Sequence, residues 1–175
     1  ANPVLSIRKE GNTPAWGAVY EQYFQEIDKV KGQKGVLSVE KKLFVETNNG
    51  TNRQIRPVTP EQPLRIGDKV IVRLTIRTDR EMNYVFLKDL RAGCFEPADQ
   101  LSSPESRDGI WYYRSPKDVS ENFFINRLPE GTFVLEYPVY VSRSGEYAGG
   151  ISTIQCMYAP EFVSHTAGES LRIMP

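Results

Sequence analysis

The chain has 175 residues, 39% of them hydrophobic, with 22 basic and 22 acidic side chains. A chain of this length buries roughly 70% of its unfolded surface, which is enough for one self-sufficient core. Balanced charge excludes a basic field for nucleic acid or anionic lipid, and no run of about 18 apolar residues offers a membrane helix.

The elements follow in chain order. Ala1-Asn2-Pro3 reads as an internal start, so the chain is expected to be a piece of a longer protein. Residues 4–8 read as a short strand. Residues 15–30 are ambiguous: Val19, Tyr20, Tyr23, Phe24, Ile27 and Val30 fit a helical stripe, yet Trp16, Val19, Tyr20, Tyr23 and Phe24 are strand formers, and a strand over residues 15–25 followed by a turn or short helix is favoured. Residues 1–33 are thus a candidate strand extension toward a preceding domain, and residues 1–175 one sandwich domain. Residues 34–46 alternate, with Leu37, Val39, Lys41, Leu43 and Val45 on one side. Residues 48–52 carry a tight-turn signal. Residues 53–63 hold three prolines and read as an edge segment or loop. From residue 64 a turn launches the cleanest alternation in the chain, Val70, Val72, Leu74 and Ile76 against Lys69, Arg73, Thr75 and Arg77.

Residues 83–90 form another expected strand, ended by residues 92–97. Residues 98–109 are polar and turn-rich and read as a surface loop. Trp111-Tyr112-Tyr113 restarts a strand, residues 121–128 give an aromatic one, and Pro129-Glu130-Gly131 turns into residues 132–143. Residues 145–157 are expected to complete a last long hairpin, broken by Met157-Tyr158-Ala159-Pro160-Glu161-Phe162. Residues 171–174 read as a short closing strand. Nine to eleven strands with at most one short helix predict an all-β fold, an antiparallel immunoglobulin-like β-sandwich.

Chemistry-bearing residues are sparse. Cys94 and Cys156 do not form a metal-ligand pair; they read as buried thiols, with a disulfide as the alternative. His165 stands in a polar, tail-like segment with no second His or Cys near it in sequence to make a triad or metal shell. Gly145, Gly149 and Gly150 lie between strands rather than before a helix, and read as a bulge or close backbone approach. Asp79, Glu81 and Asp89 are the densest acids, a weak signal for calcium. Trp111-Tyr112-Tyr113 could stack sugars but reads first as core. Asn49-Gly50-Thr51 matches a glycan acceptor and reads first as a turn. No catalytic residue, cofactor or metal site is expected.

Several short pieces, in order and spacing, resemble the C-terminal domain of bacterial alpha-2-macroglobulin-like proteins, especially the Bacteroidetes type. They include Trp16-Gly17-Ala18-Val19-Tyr20, Lys41-Lys42-Leu43-Phe44, Gly67-Asp68-Lys69-Val70 and Asp89-Leu90-Arg91-Ala92 with Phe95-Glu96-Pro97. Gln22-Tyr23-Phe24, Asp118 with Asn122-Phe123-Phe124, Leu128-Pro129 with Gly131-Thr132, Glu136-Tyr137, Gly149-Gly150-Ile151 and Gln155-Cys156-Met157-Tyr158-Ala159-Pro160-Glu161-Phe162 complete them. The resemblance implies a macroglobulin-type sandwich within an extracytoplasmic protease trap, in the periplasm or at the cell surface. Its partners would be other domains of the same chain, including a thioester domain, and indirectly the trapped proteases. The family's Cys-x-Glu-Gln thioester is absent from this sequence: neither Cys94-Phe95-Glu96 nor Cys156-Met157-Tyr158 supplies it. What carries over is a docking role, for which Tyr158, Pro160, Glu161 and Phe162 are the candidates. The competing expectation is a stand-alone immunoglobulin-like adhesion or carbohydrate-binding module.

Overall fold

The computed structural model describes residues 6–16, 23–49 and 52–175. Fourteen strands occur among them: β1 (Leu37–Asn49), β2 (Asn52–Pro57), β3 (Leu64–Arg65), β4 (Lys69–Thr78), β5 (Met82–Leu90), β6 (Phe95–Pro97), β7 (Ser103–Arg107), β8 (Ile110–Pro116), β9 (Ser120–Leu128), β10 (Gly131–Val141), β11 (Gly145–Ala148), β12 (Ser152–Cys156), β13 (Ala159–His165) and β14 (Ser170–Met174). The single helical element described is a 3-10 turn, Ile27–Lys29.

Two sheets face each other. One has the order β2-β1-β4-β10-β6 and the other β13-β12-β5-β9-β8-β7; a small third sheet, β11-β14-β3, sits beside them. Every named pair is antiparallel except β14 with β3. Alternation explains the layering, because side chains of period two put one apolar set inside. Val70, Val72, Leu74 and Ile76 of β4 are all buried, as the sequence predicts, and Leu43 and Tyr137 flank Val72 in one cross-strand row. Val85 and Leu87 of β5, Phe123 and Ile125 of β9 and Ile154 of β12 close the core from the other side.

Several expectations are corrected. Residues 145–157 do not pair with β10. They divide into β11 and β12, which belong to different sheets, while β10 lies between β4 and β6. The division falls at Gly149-Gly150, where the backbone approaches β5. Gly150 has φ +73, and a Cβ there would lie 2.2 Å from the Leu90 carbonyl oxygen. Residues 98–109 are not all loop, since β7 pairs with β8 across Asp108-Gly109. Both turn residues have positive φ, 51 and 81, the conformation of a two-residue hairpin turn. The Asp108 carboxylate also accepts the Val134 N–H at 3.0 Å, capping the open flank of β10.

Pro160 does not end a strand. It lies within β13, the outermost strand of its sheet, where a missing N–H blunts an exposed edge. His165 likewise belongs to β13 rather than to a tail, and its backbone exchanges hydrogen bonds with Gln33 at 2.9 and 3.1 Å. Phe95–Pro97 is a strand, β6, rather than only a stop. Residues 53–63 do supply an edge strand, β2, and residues 171–174 fall in β14. Of the residue 4–8 strand, residues 6–8 are irregular and exposed, and the rest lies outside the described residues. Of the residue 15–25 strand, positions 15–16 and 23–25 are irregular and exposed; 17–22 lie outside the described residues.

Candidate interaction site

The β12–β13 turn is the most built-up exposed feature. Met157 and Tyr158 alone connect the two strands, after a register shift between Gln155 and Cys156. Such a bulge re-aims the chain and its side chains. Two bonds to β5 hold the turn. The Met157 N–H donates to the Tyr84 carbonyl at 2.9 Å, and the Cys156 thiol donates to the Asn83 carbonyl at 3.2 Å. Tyr84 adopts φ 56, a left-handed conformation that costs a non-glycine residue roughly 1–2 kcal/mol. Its ring meets Tyr158 edge-on, with centroids 5.1 Å apart.

Tyr158 is nevertheless 80% exposed, and Met157 and Tyr84 are about half exposed. Pro160 and Glu161 face solvent too. Phe162 behaves differently: it is partly buried against the core, and Arg80 sits 5.8 Å above its ring. The structure therefore separates the four candidates. Tyr158, Pro160 and Glu161 are presented outward, and Phe162 roots the strand that presents them.

Below the turn, the interior holds two charged networks. Asp89 is fully buried and accepts from Lys41 Nζ and Ser152 Oγ, both at 2.8 Å, and from the Tyr137 hydroxyl. Lys41 Nζ also donates to the Leu90 and Gly149 carbonyls at 3.0 and 3.2 Å. These bonds tie β1 and β10 of one sheet to β5 and β12 of the other. Burial, and then the Asp89 charge, push the Tyr137 hydroxyl well above its ordinary range. In the second network Glu121 accepts from Arg114 at 2.7 Å and Arg91 at 3.0 Å. Burial pushes the Glu121 carboxyl up, against the opposing pull of the Arg114 and Arg91 guanidiniums. Arg91 also donates to the Lys117 and Asp118 carbonyls, and Arg114 lies 5.7 Å from the Tyr137 ring. The Asp89 network therefore links the two sheets, while the Glu121 network lies within the six-stranded sheet and leaves Arg91 Nε and one Arg114 amino nitrogen buried without a partner.

The remaining sequence candidates are scattered. Asp79 pairs with Arg80 and Glu81 with Arg127, while Asp89 is buried with Lys41, so the three acids never converge. Among the described residues no three His, Cys, Asp or Glu side chains gather to hold a metal ion. Both cysteines are free and buried, and burial pushes the Cys94 thiol up to about 11. His165 Nδ1 lies 3.1 Å from the Thr166 carbonyl. The Trp111-Tyr112-Tyr113 triplet is split by the pleat: Tyr112 is in the core, and Trp111 and Tyr113 face outward. Asn49 pairs with Asn52 across the turn, whose Gly50 and Thr51 lie outside the described residues.

Sequence reasoning did not single out Lys41 as a site residue. Its signal is legible in retrospect: one lysine in an inward register position of an otherwise apolar alternation demands a buried acid opposite.

Comparison with known proteins matches residues 37–161 to the family described as the bacterial alpha-2-macroglobulin MG10 domain. A Dictyostelium discoideum protein, circularly permutated Ras protein 2, is 28% identical over 109 residues, which is 62% of this chain and 3% of that protein. Salmonella alpha-2-macroglobulin reacted with methylamine matches 83% of this chain with a TM-score of 0.63 and 21% identity. Native Escherichia coli alpha-2-macroglobulin, spanning MG7 to the C-terminus, matches 82% with a TM-score of 0.63 and 17% identity. The chain spans only 10% of the Salmonella chain and 24% of the Escherichia coli one.

Proposed function

Because the chain belongs to the bacterial alpha-2-macroglobulin family through its MG10 domain, we propose that it is a non-catalytic sandwich of an extracytoplasmic protease trap. In this reading residues 1–175 are one piece of a much longer chain, and they pack on a neighbouring domain of it. The β12–β13 turn makes the contact. The neighbour is the domain that carries the trap's reactive thioester, which the sandwich covers until a protease cuts elsewhere and the chain rearranges.

The observation that carries the reading is the Met157-Tyr158 turn. A large aromatic is held 80% exposed on a two-residue connection braced by Tyr84. Exposed Tyr side chains in fixed positions are favoured as interface anchors, because they bury much area at little conformational cost. The Asp89 network ties the strands that carry the turn to the facing sheet. An Escherichia coli relative has been characterised as activated by porcine elastase, which supports a protease-triggered rearrangement in this chain's parent protein.

The test uses the full-length protein. Tyr158→Gly is expected to leave the fold intact, since the ring is exposed, and to speed capture of a small amine in the absence of protease. The same variant should lower the amount of protease retained per trap after cleavage. Unchanged amine reactivity together with unchanged retention would overturn the proposal.

A further inference from the structure

The outward face of the five-stranded sheet mixes ion pairs with apolar side chains such as Phe44 and Tyr140. On the five-stranded sheet, Arg73 pairs with Glu136 at 2.6 Å and Lys69 with Glu46 at 2.8 Å, while Arg77 reaches Thr132. On the six-stranded sheet, strand register places Phe86, Phe124 and Tyr113 side by side across β5, β9 and β8. Phe86 and Phe124 are stacked at 4.9 Å. Two residues along β8 stands Trp111, 72% exposed, and Tyr113 and Phe124 are 47% and 39% exposed. A soluble monomer rarely spends aromatics on such a row, and contiguous apolar patches of this kind mark interaction sites.

Resting on the proposed docking of Tyr158, we infer that this row extends the same contact, so that one neighbouring domain of the parent chain covers the turn and the sheet face together. Two observations select that occupant. First, the turn and the row are continuous. Tyr84, which touches Tyr158, lies two residues before Phe86, and whatever covers the one approaches the other. Second, the chain spans about a tenth of the related full chain, so a tethered neighbour is present at an effective concentration of roughly millimolar. Pro104 and Pro129 border Trp111 and Tyr113, and the nearby Arg127 is already engaged by Glu81 at 2.8 Å. Trp111 is then the far anchor of an interface whose near anchor is Tyr158.

Hydroxyl-radical footprinting of the full-length protein, read by mass spectrometry, separates the two claims. Trp111 and Tyr113 are expected to oxidise clearly more slowly in the native protein than in the unfolded chain, because a fully buried interface core excludes solvent. Met157 and Tyr158 should be protected alongside them. A protected turn with freely reactive Trp111 overturns the extended interface and leaves the docking of Tyr158 standing. Free reactivity at both ends overturns both. Protection of Trp111 that vanishes on dilution assigns the face to a second copy, and protection that appears only with added polysaccharide assigns it to a sugar; either overturns the inference. The paired substitution Trp111→Ser with Tyr113→Ser touches solvent-facing rings and should raise oxidation of Tyr158; an unchanged Tyr158 also counts against a shared contact.

Discussion

The Asp89–Lys41 pair gives the sharpest test of how the two sheets are held together. Asp89 has no exposed surface, and the Lys41 side chain is 11% exposed. Asp89→Ala would leave that ammonium without its counter-charge and deprive the Tyr137 and Ser152 hydroxyls of their acceptor. Breaking a buried pair by removing one partner costs about 3–5 kcal/mol, and each orphaned hydroxyl adds about 1–3 kcal/mol before neighbours relax. Because the losses share one site and are not additive, about 4–6 kcal/mol is expected in total. Lys41→Met keeps the apolar stem in place but leaves the buried Asp89 charge with only its two hydroxyl donors, so about 3–5 kcal/mol is expected. The double variant should cost less than the sum of the singles by about 1.5–3 kcal/mol.

Urea unfolding followed by far-ultraviolet circular dichroism measures all three. Since a whole domain is stable by only about 5–15 kcal/mol, Asp89→Asn serves where the alanine variant does not fold. It keeps the shape and removes the charge. A cost below about 1 kcal/mol for Asp89→Ala, or a coupling near zero, would refute a charge pair as the link between the sheets.

Three further outcomes follow from the same geometry. Gly150→Ala should destabilise by more than about 3 kcal/mol, because a left-handed backbone is joined by a Cβ placed 2.2 Å from the Leu90 carbonyl; Gly67→Ala, with φ +88 and open space around it, should cost only about 1 kcal/mol. Equal melting temperatures for the two variants would show that the close approach carries no energy. The Cys94 thiol, pushed up to about 11, should be on the order of 0.1% thiolate at pH 8, so alkylation of the native chain should be far slower than in urea; equal rates count against its burial.

The third concerns Glu136. Burial pushes this carboxyl up, but the Arg73 and Arg107 guanidiniums outweigh it and hold the group below its ordinary 4.5. A carboxyl lowered on folding contributes stability that is present above its ordinary value and lost as pH falls through the lower folded value. Glu136→Gln should therefore cost most near neutrality and progressively less in acid. A cost that stays constant with pH, read from urea midpoints, would contradict that pairing.

Much of the fold is legible in the sequence, because most of β4 and residues 37–47 of β1 follow the two-residue period. Val70, Val72, Leu74 and Ile76 of β4 and Leu37, Val39, Leu43 and Val45 of β1 are buried as the alternation predicts, while Ile71 is buried out of phase. The failures have specific causes. The expected last hairpin joins two strands that are adjacent in sequence, but Gly149-Gly150 lets the chain leave one sheet and enter another, and period alone cannot report sheet membership. Strand β7 is short and polar, so hydrophobic pattern misses it, although Asp108-Gly109 carries a hairpin-turn signal. Pro160 looks like a terminator because proline cannot donate to a ladder. On an outermost strand no donation is required, and edge position is a tertiary fact.

The candidate site is legible in outline. The segment from Tyr158 to Phe162 stands out by its composition, and the structure presents three of its four named residues outward. Tyr84 could not be found the same way. It lies 74 positions from Tyr158, and its positive φ is invisible in a tyrosine codon for an ordinary strand position. The aromatic row of the six-stranded sheet is also hidden, because Trp111-Tyr112-Tyr113 reads as core until the pleat assigns alternate rings to opposite faces.

The central claim is that Tyr158 seats this sandwich on another domain of its own chain. A photo-reactive phenylalanine analogue at position 158 of the full-length protein tests it most directly. Irradiation of the native protein should give cross-linked peptides joining position 158 to residues of the same molecule outside positions 1–175, and prior protease activation should abolish them. Cross-links confined to positions 1–175, cross-links only to a second molecule, or a native protein that yields none would contradict the account.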